Sequence, residues 1–299
     1  MNYLPRCISE HCQPTFLIPI LRAMKVPTMA LTILPSHLRL MAAAAFRVLA
    51  ALLILLAPRL AVAACAPVAA AEPRVWHAVA EDPTVRISFL GHASFLIETP
   101  DSVRAVTDYS GANTTEPPPD IVTMNHAHPS HYTLQPDPRI GTVLHGWQEG
   151  PKPPAYDVVL RDLRVTNLAT NIREWGGGTE LNGNSIFIFE TAGLCIAHLG
   201  HLQHLLEPVD LDALGHIDIV MIAVDGGYTI GQADARRVVE QIRPRIVLPM
   251  HYFSAENLAR FLDTMRDSYA IDVRHDPTIE VSRVMLPDRP TLIALPGGL

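Results

Sequence analysis

The chain of 299 residues contains only four cysteines and few charged side chains. Cys7, Cys12 and Cys65 all precede the region that has the pattern of a folded domain, so we expect no disulfide framework. Cys195 alone lies inside that domain, in the apolar stretch 192–197. This position favours a buried structural thiol over a nucleophile.

Charged residues make up 18% of the sequence, and their balance is acidic, with a formal net charge of −7. The first 64 residues carry six basic groups and one acidic group, which leaves 17 basic and 29 acidic residues, a balance of −12, for the remainder. Such a surface repels phosphate backbones, so nucleic acid is not expected as a partner. A hydrophobic content of 48% at this length favours one larger domain with a full core.

The N-terminal part of the chain is predicted to be targeting sequence. Residues 1–40 hold scattered prolines and further methionines without a periodic pattern, and we interpret them as a doubtful leader upstream of a miscalled start. Residues 41–64 have the layout of a signal peptide: Arg47, the apolar run 48–57 and small residues up to position 64. The run is too short for a membrane span, which takes about 20 apolar residues. A buried or amphipathic N-terminal helix is the alternative.

Residues 65–83 are Ala/Pro-rich and are predicted to be a linker before a domain at 84–299. We therefore expect an exported protein, periplasmic or secreted. Residues 62–65 also resemble a bacterial lipoprotein box, so a lipid anchor at Cys65 is the alternative to soluble export. The oligomeric state does not follow from the sequence.

The pattern of the domain predicts an α/β fold. β-type runs separated by turn residues occupy 85–90, 94–98, 103–107, 121–124, 158–160, 163–166, 185–189 and 194–198. Helical segments at 208–214, 232–242 and 255–266 then alternate with strands at 218–224 and 245–249. Two strand-rich series with helices outside them indicate sheets that pack face to face and are covered by helices.

The strongest chemical signal is a run of three histidines. An apolar strand beginning after Asp120 leads into Asn125-His126-Ala-His128-Pro-Ser130-His131. Histidines spaced i, i+2 in extended chain point to the same side, and a third at i+5 closes around a cation. Neutral imidazoles suit zinc, iron or manganese.

This stretch resembles the His-x-His-x-Asp-His signature of the metallo-β-lactamase superfamily. Further landmarks stand in the expected order: Gly91-His92-Ala-Ser-Phe-Leu-Ile-Glu98, Val106-Thr-Asp108, Ala197-His198-Leu-Gly200-His201 and Leu248-Pro-Met-His251. Together they are similar to a branch of small lactonase-like hydrolases that includes ascorbate-phosphate lactonase. The resemblance implies a four-layer αββα sandwich of two mixed β-sheets flanked by helices over residues 84–299.

The resemblance also implies a set of metal ligands. His126 and His128 match the pair that holds the first metal, whereas His131 and His251 match ligands of the second. Ser130 occupies the place of the usual aspartate, and a hydroxyl is a weak neutral ligand. His201 stands where the family has a bridging aspartate, and an imidazole bridges two metals poorly.

Four further residues are site candidates. Asn171 matches a position where relatives have another histidine, so its carbonyl would be a weak ligand. Asp225 either supplies the missing carboxylate or only forms a turn. His92 and Asp108 either orient the ligand imidazoles or hold structural turns. The candidate catalytic residues are therefore Ser130, Asn171 and Asp225, and the metal ligands are His126, His128, His131, His201 and His251.

We expect one or two divalent ions, with zinc favoured and iron or manganese as alternatives. Such an ion lowers the pKa of bound water from about 15.7 to near 7, which implies hydrolysis of a small lactone, ester, amide or phosphoester. The replacements at Ser130, Asn171 and His201 keep open a catalytically weak or inactive metal- or ligand-binding protein. A serine hydrolase using Ser130 and His131 is a third reading, but no Gly-x-Ser-x-Gly elbow is present.

Overall fold

The structure is a computed structural model that describes residue 65 and residues 82–174 and 176–297. The predicted leader 1–40, the signal peptide 41–64 and most of the linker 65–83 lie outside the described residues. The strands are β1 Val85–Gly91, β2 Ser94–Glu98, β3 Arg104–Val106, β4 Ile121–Met124, β5 Thr142–His145, β6 Asp157–Leu160, β7 Leu163–Arg173, β8 Thr179–Thr191, β9 Leu194–His198, β10 Ile219–Ala223, β11 Ile246–Met250, β12 Ala270–Val273, β13 Thr278–Val281 and β14 Thr291–Ala294. The helices are α1 Pro208–Leu214, α2 Gln232–Ile242 and α3 Ala255–Met265.

The strands form two mixed sheets, which confirms the expected sandwich. The first sheet has the order β13-β1-β2-β3-β4-β5, and the second has the order β12-β14-β11-β10-β9-β8-β7-β6. In the first sheet β2 is antiparallel to β1 and β3, and β4 is parallel to β3. In the second sheet β9, β10 and β11 are mutually parallel. The carboxyl ends of β1, β3 and β4 therefore share one edge, as do those of β9, β10 and β11.

The main core lies between the sheets. Alternate residues of β1 such as Ile87 and Phe89 face strand residues of the second sheet such as Phe187 and Ile196, all nearly inaccessible to solvent. Period-two alternation puts every second side chain on the buried face. Burial of each such side chain contributes about 1.5–3 kcal/mol.

The other face of the first sheet is covered by a loop layer. Leu96, Val106 and Val122 point away from the main core and pack beneath Tyr109 and Ile140. Six prolines fall between residues 109 and 141, and proline removes the backbone donors that a helix needs. The three helices of the described residues all follow β9, in the second half of the fold.

The helices are short and amphipathic. In α3 the side chain of Ser254 caps the first turn by accepting from the backbone N–H of Asn257, and Phe261 and Met265 are buried. α2 buries Ala235, Val238 and Val239. None of the helices in the described part of the chain is long and apolar enough to span a membrane.

A disulfide joins Cys65 to Cys195, across a sequence separation of 130 residues. Our expectation of no disulfide and a free buried thiol at Cys195 was wrong. The prediction failed because Cys65 was grouped with the leader, whereas its side chain is partly buried against the main core. The Cα atoms lie 5.7 Å apart, which is a normal distance for such a bond.

Candidate metal centre

Polar side chains follow three neighbouring strands of the first sheet, each at the carboxyl end. His92 comes after β1, Asp108 two residues after β3, and His126 two residues after β4. Because these ends share one edge of the sheet, the side chains gather there. His128 and His131 lie further along the loop that begins at His126.

The second sheet contributes in the same way. His201 follows β9, Asp225 follows β10, and His251 follows β11 directly. Ligands of α/β sheets commonly bind beyond the carboxyl ends of parallel strands. The two edges meet, so the candidate centre lies where the two sheets present their strand ends.

Asn125 holds the two edges together. Its backbone N–H donates to Asp108 Oδ1 at 3.0 Å, and its side-chain Nδ2 donates to the carbonyl oxygens of Ser185 at 2.8 Å and His198 at 3.4 Å. Gly200 has φ +57, and a Cβ there would lie 2.5 Å from the Cβ of Asn125. The loops carrying His126 and His201 are therefore fixed against one another.

Unusual backbone conformations accompany the site. His92, Asp108 and His251 have φ of 52, 48 and 54 degrees, in the left-handed region that residues other than glycine seldom adopt. The backbone N–H of His251 donates to the carbonyl oxygen of His92 at 2.6 Å, so these two strained residues stabilise each other. Strain of this kind costs about 1–3 kcal/mol per residue and clusters at functional sites.

Six imidazoles form one cluster. Ring centroids are 5.0 Å apart for His131 and His251, 4.8 Å for His126 and His201, and 5.1 Å for His131 and His201. His128 lies 5.8 Å from His131, and His92 lies 4.3 Å from His251. The structure thus brings all five predicted metal ligands together and adds His92.

Two carboxylates set the tautomers of the central rings. His131 Nδ1 lies 2.8 Å from Asp108 Oδ2, and His251 Nδ1 lies 3.0 Å from Asp225 Oδ1. An ionised carboxylate only accepts, so both Nδ1 atoms carry the proton and both Nε2 atoms present lone pairs. These two Nε2 atoms face each other at 3.2 Å. Two facing lone pairs at this distance repel unless a cation or a proton lies between them.

The pKa values of both carboxyl groups favour ionisation. Burial by itself would raise the pKa of Asp108, but the electrostatic attraction and the hydrogen bond of the His131 Nδ1–H group outweigh it, and the pKa lies well below its usual range. Burial would also raise the pKa of Asp225, but hydrogen bonds from His251, from Thr229 and from the backbone N–H of Gly227 outweigh it and lower the pKa. Both groups therefore keep their orienting role at neutral pH.

The remaining imidazoles are neutral. Burial, together with a smaller effect of the neighbouring histidines, lowers the pKa of His92 to about 4 and that of His201 to about 3. Burial also lowers the pKa values of His126 and His128. His126 Nδ1 donates to the carbonyl oxygen of Gly183 at 2.8 Å, which leaves its Nε2 as a lone pair. Neutral rings are the form that binds a metal.

Buried ring nitrogens without hydrogen-bond partners are consistent with a metal-binding role. His92 Nε2 and His201 Nδ1 are buried and have no hydrogen-bond partner in the described structure. One ring nitrogen from each of His92, His131 and His251 lies within 4.8 Å of the other two. Nitrogen donors that converge with unshared lone pairs suit zinc and other divalent transition metals, so the residues present fit a metal centre.

A cavity of about 1200 Å³ opens in front of the cluster. Its lining includes the six clustered histidines together with Arg173, Glu174, Tyr228 and Phe253. This volume is enough for a small-molecule substrate. Arg173 was not a sequence candidate, because no motif distinguishes it from a surface arginine.

The three candidate catalytic residues have different positions. Ser130 lines the cavity, and its Oγ lies 2.8 Å from His128 Nδ1. Asp225 holds His251 and accepts from the backbone N–H groups of residues 227–229. Asn171 Oδ1 accepts from the backbone N–H of Asn182, so this side chain stabilises the β7–β8 hairpin. Asp225 thus both forms a turn and orients a histidine.

Sequence comparison places this fold and site in a known class. Residues 86–251 match the beta-lactamase superfamily domain. The chain is 28% identical over 203 residues to a UPF0173 metal-dependent hydrolase of Thermococcus onnurineus, a match that covers 56% of this chain and 84% of the relative. A UPF0173 protein of Pyrococcus abyssi is 27% identical over 204 residues, with coverage of 61% and 92%.

A solved structure agrees with the sequence relatives. A crystal structure from Thermotoga maritima, of a protein assigned to the Zn-dependent hydrolases of the metallo-beta-lactamase superfamily, matches with a TM-score of 0.50 and 25% identity. The match covers 72% of this chain and all of that one. The chain belongs to the metallo-β-lactamase superfamily. The enzyme class expected from the sequence, metal-dependent hydrolase, agrees with the names of these relatives.

Proposed function

We propose that the protein is a metal-dependent hydrolase of a small lactone, ester, amide or phosphoester. The observation that carries the proposal is the pair of Nε2 lone pairs of His131 and His251, held 3.2 Å apart by two ionised carboxylates. Metal-ligating histidines commonly donate their other ring nitrogen to a carboxylate in this way. A bound divalent cation supplies a Lewis acid that polarises a carbonyl or phosphoryl oxygen and acidifies water.

The protein side chains contribute orientation and binding. Asp108 and Asp225 fix the rings of His131 and His251 so that their Nε2 atoms face the cavity. Tyr228 and Phe253 form an aromatic part of the cavity lining, with ring centroids 5.6 Å apart, that offers apolar contact to a substrate.

Arg173 supports a substrate with an anionic group. Its guanidinium lies at the cavity wall and donates to Gln203 Oε1 and to the carbonyl oxygen of Thr229. Both acceptors are neutral, and no carboxylate of the described residues forms an ion pair with it. A carboxylate or phosphate of the substrate is the complementary partner.

The serine-hydrolase alternative finds little support in this geometry. Ser130 Oγ contacts His128 rather than the expected His131. No carboxylate within the described range hydrogen-bonds to His128, whereas His131 is bound to Asp108. A serine nucleophile needs a base that a third group orients.

Activity measurements on metal-free and reloaded protein test the proposal. Protein purified without added metal is analysed for metal and assayed on lactone, ester, amide and phosphodiester substrates, before and after chelation. We expect hydrolysis of one class that is lost on chelation and restored by a divalent ion. Ser130→Ala should retain part of this activity, whereas a serine enzyme would lose nearly all of it. Bound metal without hydrolysis of any class would favour the alternative, a catalytically inactive binding protein.

We also propose that the protein is exported in soluble form. The Cys65–Cys195 disulfide supports this, because structural disulfides persist in oxidising compartments and are rare in the cytosol. A lipid thioether would need the same Sγ atom of Cys65, so the bond and the lipid anchor exclude one another. Mass spectrometry of the protein from the periplasm or medium should find a cleaved chain without lipid; a lipidated Cys65 would refute this proposal.

A further inference from the structure

In the His-x-His-x-Asp-His pattern that this chain resembles, the acidic position is occupied by a serine. Ser130 stands in the place of the expected aspartate, and its Oγ is engaged by His128. His201 stands in place of the bridging aspartate. His131 and His251 are the two predicted ligands whose Nε2 atoms face each other, and two protein ligands are fewer than the three that catalytic zinc sites generally have.

His92 lies where a third ligand is needed. Its ring centroid is 4.3 Å from that of His251 and 5.1 Å from that of His131, and the latter two are 5.0 Å apart. The three rings therefore form a nearly equilateral triangle. The Nε2 atom of His92 is buried and has no hydrogen-bond partner in the described structure.

The spacing of the nitrogens is close to what a single ion requires. Two nitrogen ligands of one tetrahedral zinc, each about 2.05 Å from it, lie about 3.3 Å apart. The Nε2 atoms of His131 and His251 are 3.2 Å apart. The three ligand atoms of the triangle all lie within 4.8 Å of one another, so the widest gap closes by about 1.5 Å when an ion binds.

The backbone holds His92 in this position. Gly91 and His92 both have positive φ, and the carbonyl oxygen of His92 accepts from the backbone N–H of His251 at 2.6 Å. The turn after β1 is thereby fixed to the end of β11. A ring that only stabilised the turn would not need a buried nitrogen without a partner beside the nitrogens of two other imidazoles.

We propose that His92 is a metal ligand, and that His92, His131 and His251 together hold one divalent cation through three imidazole nitrogens. This inference rests on the proposed function, since it assumes that the centre binds metal. His92 takes the place of the missing carboxylate in the coordination, so the site is neutral. The negative charges of Asp108 and Asp225 lie behind the rings that they orient.

Zinc binding by the full-length chain tests the proposal without an activity assay. Chelator-treated wild type, His92→Ala and His92→Gln are titrated with Zn²⁺ against a chromophoric competitor to obtain stoichiometry and affinity. His275→Ala is the matched control, because it removes an exposed imidazole on the β12–β13 connection. His92→Gln keeps a neutral side chain of similar size, and circular dichroism of the metal-free proteins checks that each variant folds.

We expect both His92 variants to bind one zinc ion at least about 100-fold more weakly than the wild type. Loss of a ligand should lower the metal affinity at least as much as loss of a group that only orients a ligand, which costs up to about 100-fold. The control should match the wild type. The ligand-field spectrum of the Co²⁺-loaded protein should also change in the His92 variants, because one nitrogen leaves the coordination sphere. Wild-type stoichiometry, affinity and Co²⁺ spectrum in a folded His92 variant would overturn the proposal and leave the hydrolase intact. Absence of zinc binding in the wild type would overturn both.

Discussion

Loss of the Cys65–Cys195 bond should strongly destabilise the domain. The bond closes a loop with a sequence separation of 130 residues, and the chain-entropy relation gives about 5 kcal/mol at 25 °C for a loop of this length. Single domains have total stabilities of about 5–15 kcal/mol, so the bond accounts for a large part of the folding free energy. With a urea m value of about 3 kcal/mol/M, the unfolding midpoint should fall by about 1.7 M.

The assay is urea unfolding of a Cys7→Ser/Cys12→Ser chain, with and without reductant, compared with the same chain carrying Cys65→Ser. The two cysteines replaced in the background lie outside the described residues, and their thiols would confuse the thiol count. Reductant should lower the midpoint of the first protein and leave that of the second unchanged. The entropy argument is refuted if peptide mapping finds the bond intact and its reduction leaves the midpoint where it was.

Three further predictions concern single residues. His198→Gln should reduce the fall in unfolding free energy at acidic pH. His198 is fully buried, its Nε2 donates to the Ala93 carbonyl oxygen, and burial lowers its pKa below 6.5. The folded state is therefore favoured above pH 6.5, and below it the wild type loses up to about 1.4 kcal/mol of stability per pH unit. Parallel urea-stability curves for variant and wild type between pH 7.5 and 5 would contradict this. In thermal unfolding, Gly200→Ala should destabilise the protein by about 1–3 kcal/mol more than Gly193→Ala. Both glycines have positive φ, but only at Gly200 would a Cβ meet other atoms. Equal losses of stability would show that crowding at Gly200 is unimportant. Arg173→Gln should raise KM for an anionic substrate at least about tenfold with little change in kcat, since a lost charge-assisted hydrogen bond costs about 1.5–3 kcal/mol; an unchanged KM would remove Arg173 from substrate binding.

The strands that carry the site were predictable because apolar alternation and turn residues mark them locally. β4 was expected at 121–124 and β9 at 194–198, and both are found there. The hairpin of β7 and β8 extends further than expected, because polar residues around Asn171 and Asn184 are held by pairing across the hairpin rather than by apolar alternation. β12, β13 and β14 are four-residue strands whose partners are distant in sequence, so local pattern gave no signal for them.

The candidate site was only partly predictable, for a related reason. The histidines of the 126–131 loop and His251 are marked by motifs, whereas the pairing of Asp108 with His131 and of Asp225 with His251 depends on the fold. The sequence favoured a turn role and an orienting role for His92 equally, because it does not show which residues lie next to His92 in space. The disulfide was missed because no local pattern links residues that are 130 positions apart.

The packing around Asn125 limits how this enzyme can diversify. Its side-chain amide donates to two backbone carbonyl oxygens of the second sheet, and its backbone N–H donates to Asp108 beside the first sheet. Glycine is needed on either side of Asn125, since a Cβ at Gly146 would lie 2.6 Å from its carbonyl oxygen. A single substitution here would disturb the loops of both halves that carry the histidines, so this buried junction resists gradual change. We therefore expect new substrate preferences to arise at exposed residues of the cavity lining such as Glu174 and Tyr228, which belong neither to the clustered imidazoles nor to the carboxylates that orient them.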